Sequence, residues 1–340
     1  MKTEVLNIYE DALAIDKAAE ILQNGGLVGI PTETVYGLAG NALNKSCVEK
    51  IFAAKGRPSD NPLIVHISSI DQWAPLVKHI PEAAIALAEK FWPGPLTIIL
   101  EKSDVIPQEI CGNMSTVAVR MPNHSAALRL IDKAGFPLAA PSANTSGKPS
   151  PTSAKHVFDD LNGKIEGILD GGECNIGVES TVISLVTDPP RIFRPGGVTP
   201  EMLTEVLGEI EIDEAVFSAL KEGQEVASPG TKYKHYSPGA DVYLLKGNLE
   251  GYIGYLEENG DENTVALCFE GEENLIHTRC ITYGKKDDPS SQAKHIFDAL
   301  RQVDSLKAKT AFVRFPESDG VGLAVFNRLA RAAAFKIIEV

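Results

Sequence analysis

The chain has 340 residues, of which 44% are hydrophobic and 23% charged, so it has the composition of a soluble globular protein and is long enough for two domains. Its formal net charge is -14, and the acidity is even: residues 1–205 carry 17 Lys and Arg against 24 Asp and Glu, and the rest carries 15 against 22. Strong direct nucleic-acid binding is not expected, because such binding needs a basic face.

The five cysteines are scattered and odd in number, and no C-x-x-C pair occurs among Cys47, Cys111, Cys174, Cys268 and Cys280. This argues against a zinc ribbon or a redox motif, and no metal site is predicted. Free thiols are typical of a reducing compartment. The first 20 residues lack the apolar core of a signal peptide, and no apolar run approaches the ~20 residues of a membrane span. A cytoplasmic protein without membrane contact is therefore predicted.

The first part of the chain alternates helix and strand patterns. Residues 11–24 predict an amphipathic helix that stops at Asn24-Gly25-Gly26, and a short helix follows in SCVEKIFAAKGR, with Ser46 as its N-cap. GLVGIPTETVYGL predicts a buried strand that breaks into a turn, and PLIVHI, LTIIL, TVAVRMP and PLAAPSAN predict further strands. The remaining predictions are the helices PEAAIALAEKFW, HSAALRLIDKAG and TPEMLTEVLG and a meander of GILDGG, STVISLV and RIFRPG. This mixture predicts an α/β domain on a twisted, mixed sheet.

The pattern weakens between about residues 207 and 240, where Ser-Pro-Gly occurs twice and brackets TKYKHY, as expected of a linker. From residue 241, the strand patterns DVYLL, TVALCF, TAFVRF and FKIIEV are separated by helical patterns at 247–258, 291–305 and 321–333. Strand and helix in alternation predict a small parallel α/β domain.

Two polar segments are candidates for ligand binding. In PTETVYGLAG, Thr32, Thr34 and Tyr36 alternate and would share one side of an extended stretch; local backbone capping is the alternative. APSANTSGKPSPT follows a predicted strand and could offer hydroxyls and N–H groups to an anion, although it lacks the Walker A spacing and also fits a surface loop.

Cations also stand at the ends of predicted strands and helices. Lys55 and Arg57 flank a turn in an acidic chain, and Arg120 and Arg194 end the strands STVAVR and RIFR. Arginine binds phosphate or carboxylate through two N–H groups at once, although surface ion pairs are the commoner use of such residues. His66 alternates with apolar neighbours and also fits a strand histidine that is satisfied locally.

Taken in order, seven separated motifs resemble those of the YrdC-like family of threonylcarbamoyl-adenylate synthases: PTETVYGL, KGRPSDNPL, WPGPLT, VAVRMP, PSANTSGKPSPT, ESTVI and RPGGVT. The resemblance runs from about residue 20 to 200, and the linker and tail resemble the long, two-domain form of the family. It implies a twisted mixed-sheet YrdC-like catalytic domain at 1–206, a linker that acts as a lid at 207–240, and a small Rossmann-like parallel α/β domain at 241–340.

The same resemblance implies which residues would do the work. The Lys-x-Arg pair of Lys55 and Arg57 would be catalytic. The nucleotide would be bound by Arg57, Asn61, Thr116, Ser142, Asn144, Ser150, Arg194, His235 and Tyr236. Threonine would be bound by Thr34, His66, Arg120, Ala140 and Ser180, with Arg120 as the partner of its carboxylate.

The implied reaction joins L-threonine, bicarbonate and ATP, the latter with Mg²⁺, into threonylcarbamoyl-adenylate and releases pyrophosphate. The product would be handed to a tRNA threonylcarbamoyl transferase, for N6-threonylcarbamoyladenosine at position 37 of tRNAs that read ANN codons. An RNA-binding or ribosome-maturation module is the alternative, and the acidity of the first domain counts against it. A carbamoyl-transfer module of the hydrogenase-maturation type would carry zinc-finger cysteine pairs, which are missing from this sequence.

Overall fold

The computed structural model describes residues 2–218 and 236–340. Within these ranges the helices are α1 (Ala14–Gln23), α2 (Lys45–Lys55), α3 (Glu82–Phe91), α4 (Ser125–Ala134), α5 (Ala154–Leu161), α6 (Pro200–Leu207), α7 (Leu249–Asn259), α8 (Pro289–Ser305) and α9 (Gly322–Ala332). Short 3₁₀ turns lie at Ile70–Gln72, Ala74–Leu76, Gln108–Cys111 and Glu214–Val216.

The strands of the first sheet are β1 (Glu4–Asn7), β2 (Val28–Ile30), β3 (Gly37–Asn41), β4 (Ile64–His66), β5 (Leu96–Glu101), β6 (Thr116–Arg120), β7 (Leu138–Ala139), β8 (Gly167–Asp170), β9 (Thr181–Ser184), β10 (Arg191–Arg194) and β11 (Glu211–Ile212). Their order is β1-β8-β2-β3-β7-β4-β6-β5-β9-β10-β11. Parallel pairs such as β4 with β6 alternate with antiparallel pairs such as β5 with β6, so the sheet is mixed.

Both faces of the first sheet are covered, because neighbouring residues of its strands point to opposite sides. Leu38 packs in a core with residues of α2, α3 and α5, whereas its neighbour Ala39 packs in another core with residues of α1 and α4. In the same way, Ile168 belongs to the first core and Leu169 to the second. The twisted mixed sheet predicted from the sequence is confirmed.

The second sheet is wholly parallel, with strands β12 (Asp241–Lys246), β13 (Thr264–Cys268), β14 (Cys280–Thr282), β15 (Thr310–Arg314) and β16 (Ile337–Glu339) in the order β14-β13-β15-β12-β16. Its core is built mainly from β12, β13, β15, α8 and α9. The Rossmann-like arrangement predicted for the second part is confirmed.

The two parts of the chain share buried contacts. Val35, Val178 and Val216 of the first part lie in the hydrophobic core of the second. Arg301 of α8 forms an ion pair with the buried carboxylate of Asp160, with 3.0 Å between Nη2 and Oδ2. The second part therefore packs beside the segments that contain the PTETVYGL and GVEST motifs.

Two local predictions were wrong. Helix α2 is capped by Asn44, whose Oδ1 accepts from the N–H of Ser46 at 2.9 Å, so Ser46 is not the N-cap. The predicted meander is also broken, because β8 pairs in parallel with β1 and β2, and only β9 and β10 are antiparallel neighbours. In addition, the first sheet extends to Ile212, past the predicted boundary at residue 206.

Candidate active site

A cleft that is partly open to solvent lies where strands β4, β6 and β10 end, and its space together with its open mouth is about 730 Å³. Its walls come from the PTETVYGL segment, the turn after α2, the strands β4, β6 and β10, the loop after β7 and the GVEST segment. The lining residues are Thr32, Val35, Gly37, Lys55, Arg57, Pro62, Leu63, Ile64, His66, Arg120, Ala140, Pro141, Ser142, Asn144, Ser146, Gly147, Lys148, Glu179, Ser180, Arg194 and Tyr236.

Lys55 and Arg57 enter the cleft because helix α2 stops between them. Gly56 follows the last helical residue in the left-handed conformation, with φ of 62°, which turns the chain sharply. The Lys55 ammonium is buried and donates to the carbonyls of Ser142 and Asn144, at 2.5 and 2.6 Å. Burial, together with the charge of Arg57, holds the pKa of Lys55 well below its usual value. Lys55 thus ties helix α2 to the loop after β7.

Two guanidinium groups face the cleft from different strands and turns. Arg57 donates from Nη2 to the carbonyl of Pro62 at 3.1 Å, and desolvation lowers its pKa to about 10. Arg194, at the end of β10, donates to the carbonyl and the hydroxyl of Ser180 at 3.0 and 3.1 Å, and burial lowers its pKa too. Because an arginine has five N–H donors, each of these groups has capacity for an anion in addition to its protein partners.

Arg120 anchors a second corner of the cleft. Its buried guanidinium donates from Nε to the carbonyl of Gly94 at 3.2 Å and from Nη1 to the Thr34 hydroxyl at 2.9 Å. The Glu33 carboxylate lies behind it, with Oε1 2.7 Å from Nη2. The guanidinium is therefore fixed in position by three contacts before any ligand binds.

His66 lies next to Arg120, because the two residues pair in register on the parallel strands β4 and β6. Its Nδ1 is 3.3 Å from the carbonyl of Ile64. Burial, followed by the charge of Arg120, lowers the pKa of His66 to about 3, so the imidazole is neutral at physiological pH. When Nδ1 donates to this carbonyl, Nε2 is left as an acceptor.

The loop after β7 is held against the PTETVYGL segment by backbone contacts. The N–H of Leu38 donates to the carbonyl of Pro141 at 2.6 Å, and the N–H of Ala143 donates to that of Tyr36 at 2.8 Å. Further along, the hydroxyl of Ser150 donates to Oε1 of Glu179 at 2.5 Å. The loop is thus an ordered wall of the cleft.

The structure brings most of the predicted site residues to this cleft. It is lined by Lys55, Arg57, His66, Arg120, Ala140, Ser142, Asn144, Ser180, Arg194 and Tyr236. Three further residues are buried, and each is hydrogen-bonded to a residue that lines the cleft: Thr34 to Arg120, Asn61 to Arg57 and Ser150 to Glu179. Thr116 lines a smaller apolar cavity that shares Pro62 and Leu63 with the cleft, and His235 lies outside the described residues.

Sequence reasoning missed three residues. Glu33 and Glu179 stand inside the motifs PTETVYGL and ESTVI, beside the hydroxyl-bearing residues that were predicted to bind ligands. Both carboxylates are buried, and each faces an arginine: Glu33 faces Arg120, and Glu179 faces Arg328. In PTETVYGL and in ESTVI the glutamate is the one charged residue beside the hydroxyls, and this is the signal that could have found them. Arg328 lies far away in the sequence, and nothing local marks it.

Within residues 2–218 and 236–340, no cluster of three or more His, Cys, Asp or Glu side chains could hold a metal ion. Glu179 supplies the carboxylate among the described lining residues, and it is already engaged by Ser150 and Arg328. The described lining residues therefore supply no unengaged carboxylate for a resident Mg²⁺. No described helix is long and apolar enough to cross a membrane.

Two family models match consecutive parts of the chain. The model for Sua5, YciO and YrdC, described as telomere recombination, matches residues 20–196. The model described as the C-terminal domain of threonylcarbamoyl-AMP synthase matches residues 198–334. Together they cover the first sheet except β1 and the second sheet except β16.

Relatives of known name match over almost the whole length. A threonylcarbamoyl-AMP synthase of Pyrococcus abyssi is 46% identical over 99% of this chain and 100% of its own. A threonylcarbamoyl-AMP synthase of Bacillus subtilis is 44% identical over 96% of this chain and 94% of its own.

Solved structures of the same family are similar to this chain as well. The crystal structure of P. abyssi Sua5 complexed with L-threonine superposes with a TM-score of 0.92 at 45% identity over 100% of both chains. E. coli YciO, at 22% identity and a TM-score of 0.51, covers 57% of this chain and 96% of its own and shows the shared fold of the first part. The chain therefore belongs to the two-domain threonylcarbamoyl-AMP synthase family, and it is an enzyme of the nucleotidyltransferase type.

Proposed function

We propose that this chain synthesises L-threonylcarbamoyladenylate from L-threonine, bicarbonate and ATP and releases pyrophosphate. The observation that carries the proposal is one cleft with two different cationic corners, Arg57 with Arg194 and Arg120 with Thr34. The first corner suits a polyphosphate and the second a small amino acid. The complex of the P. abyssi relative with L-threonine supports the second assignment.

Threonine is proposed to bind with its carboxylate on Arg120, whose guanidinium is fixed by Gly94, Thr34 and Glu33. The neutral imidazole of His66 supplies an acceptor nearby for the threonine hydroxyl or amine. The Ser180 hydroxyl, 2.7 Å from that of Thr97, and the apolar Ala140 complete this corner.

ATP is proposed to bind along the opposite wall, with its phosphates on Arg57 and Arg194 and against the hydroxyls and amide of Ser142, Asn144 and Ser150. Asn61, Thr116, His235 and Tyr236 remain proposed nucleotide contacts. The ammonium of Lys55 is already engaged by two carbonyls, so its proposed role is to hold the phosphate-binding loop in place. A direct contact of Lys55 with phosphate stays a prediction.

The proposed reaction has two steps. Bicarbonate loses hydroxide and gives CO₂; the neutral amine of threonine adds to this CO₂ with a new N–C bond, and the proton that the amine gives up joins the hydroxide to form water. A carbamate oxygen then attacks the α-phosphorus of ATP, and the bond to the β-phosphate bridging oxygen breaks, so pyrophosphate leaves. These steps need positioning and charge stabilisation more than a covalent catalyst, and the fixed guanidinium groups of Arg57 and Arg194 meet that need.

Mg²⁺ is proposed to enter with ATP as part of the substrate, because the described lining residues include one carboxylate, that of Glu179, which Ser150 and Arg328 already engage. The ion would neutralise part of the triphosphate charge. We also propose that the reaction takes place in the cytoplasm and that the adenylate passes to a tRNA threonylcarbamoyl transferase. This transfer would produce N6-threonylcarbamoyladenosine at position 37 of tRNAs that read ANN codons.

The test is pyrophosphate release from MgATP, with threonine and bicarbonate omitted in turn. Release that requires both, together with a product of the mass of threonylcarbamoyl-adenylate, is the expected result. Release that requires neither would overturn the proposal in favour of simple ATP hydrolysis, and an absence of release would also overturn it.

A further inference from the structure

One arginine of the second part lies directly behind the cleft of the first. Arg328 of α9 has no exposed surface, although arginine is among the residues that are least often buried. Its Nε donates to Oε2 of Glu179 at 2.7 Å, and its Nη1 donates to the side chain of Asn327 at 2.9 Å. A fully buried cation in such a position needs a buried anion, and Glu179 provides it.

Glu179 connects this arginine to the cleft. One carboxylate oxygen faces Arg328, and the other accepts from the hydroxyl of Ser150. Burial by itself would raise the pKa of Glu179, but the charges of Arg328 and Arg194 outweigh it and hold the pKa below its ordinary value. Glu179 therefore stays negative at neutral pH, in the wall of a cleft that has to admit a triphosphate.

Arg328 also contacts a second lining residue of the cleft, Tyr236. Its Cζ lies 5.6 Å from the centre of the Tyr236 ring, which lines the cleft and packs against Phe297 of α8 with 5.2 Å between ring centres. A guanidinium over an aromatic face gains a cation–π attraction that is strongest away from water. One side chain of the second part thus contacts both the carboxylate wall and the tyrosine wall.

We propose that Arg328 is a positioning residue for the nucleotide site. It cancels the charge of Glu179, so that the cleft presents net positive charge to ATP, and it orients Glu179 as the acceptor for Ser150. The inference rests on the proposed function, because it assumes that the triphosphate lies on the Glu179 side of the cleft. It gives the second part of the chain a defined task in the reaction.

The proposal has a signature that distinguishes it from a purely structural role. Without Arg328, an uncompensated carboxylate faces the triphosphate, and like charges repel strongly in a poorly solvated site. Threonine should be spared, because its proposed anchor Arg120 is held by Gly94 and Thr34. The lost ATP affinity should return when the carboxylate itself is neutralised by Glu179→Gln.

The experiment measures direct binding of ATP and of threonine to the full chain, by calorimetry, alongside the pyrophosphate assay. Arg328→Ala is expected to weaken ATP binding about tenfold or more and threonine binding by less than about threefold. Adding Glu179→Gln should restore ATP binding to within about threefold of the starting protein. Asp298→Ala is the control. It removes a contact between the two parts that lies away from the cleft, with 3.3 Å between Oδ1 of Asp298 and Nε2 of His156, and it should leave both affinities unchanged.

The inference would be overturned if Arg328→Ala weakened the binding of ATP and of threonine equally and Glu179→Gln restored neither. An unchanged affinity of Arg328→Ala for ATP would overturn it as well. If Arg328→Ala lowers the melting temperature too far to be studied, the double variant Glu179→Gln with Arg328→Met, which carries neither charge, decides. It should bind ATP nearly as well as the starting protein, and a tenfold loss there contradicts the idea. A starting protein that binds ATP but releases no pyrophosphate refutes only the proposed function, and one that binds no ATP refutes both.

Discussion

The neutral state of His66 leads to a prediction about pH that can be worked out in full. The pKa of a histidine in an unfolded chain is near 6.5, whereas burial and the neighbouring Arg120 lower the pKa of His66 to about 3. The unfolded state therefore binds more protons between these values, and stability is lost as the pH falls from 6.5 towards 3. Between pH 7 and pH 5, this one group is expected to remove about 2 kcal/mol from the free energy of unfolding.

The perturbation is His66→Gln, which keeps a polar side chain and removes the titration. Urea unfolding at pH 7 and at pH 5 should show that the variant loses about 2 kcal/mol less stability over this interval than the starting protein does. His79→Gln is a suitable control, because the side chain of His79 is exposed. Only the difference between the two pH values matters, so a general destabilisation of the variant does not affect the comparison.

Direct titration provides the second measurement. The imidazole resonance of His66, assigned by its disappearance in the variant, should not shift between pH 8 and pH 5. A resonance that titrates with a midpoint near 6.5 would refute the account of this site, and so would equal pH dependence in the two proteins. A neutral His66 across this range also means that threonine affinity should show no step that belongs to this group.

Three further predictions test other parts of the cleft. Arg57→Ala should lower the rate of pyrophosphate release by about 10²-fold or more, because it removes a guanidinium that is proposed to bind phosphate. The rate of Arg57→Lys should lie between those of the starting protein and Arg57→Ala. A rate of Arg57→Ala within about twofold of the starting protein would exclude Arg57 from the site. Thr34→Val removes a hydrogen-bond acceptor of Arg120 and should raise the KM for threonine about tenfold and the KM for ATP far less. A larger rise in the KM for ATP would mean that ATP, not threonine, binds in the corner of Arg120. The fragment 1–218 lacks Arg328 and should release pyrophosphate more slowly; equal rates would make the second part dispensable.

Much of the cleft could be predicted because its residues are marked locally. The turn that brings Lys55 and Arg57 into the cleft depends on one glycine directly after a helix, and the sequence shows that glycine. Arg120 and Arg194 end short strands, and strand ends meet at the edges of a sheet, where ligands commonly bind. Hydroxyl-rich loops next to such cations are visible in a single sequence as well.

The parts that escaped prediction are those that depend on distant segments. Glu179 and Arg328 are 149 residues apart, so no window of local sequence contains both members of the pair. The position of β8 beside β1 and β2 is equally non-local, because it follows from pairing across more than 130 residues of chain, and hydrophobic alternation does not select a partner strand. The prediction of the N-cap of α2 was wrong for a different reason. Asn and Ser are both favourable N-cap residues, but only the backbone at Asn44 is extended, whereas Ser46 already lies in the helix.

The electrostatics of the cleft explain how so acidic a chain can select an anion. Arg57 and Arg194 both have lowered pKa values because of desolvation, which means that their protein surroundings do not fully replace the water they have lost. That unfavourable energy is part of the free energy of the empty protein, and the phosphate of the proposed ATP would relieve it. The proposed affinity for an anion would then be confined to one place, while the net charge of -14 repels polyanions from the rest of the surface. In the proposed role of Arg328, its ion pair with Glu179 would preserve this contrast at the point where the proposed nucleotide would otherwise meet a negative charge.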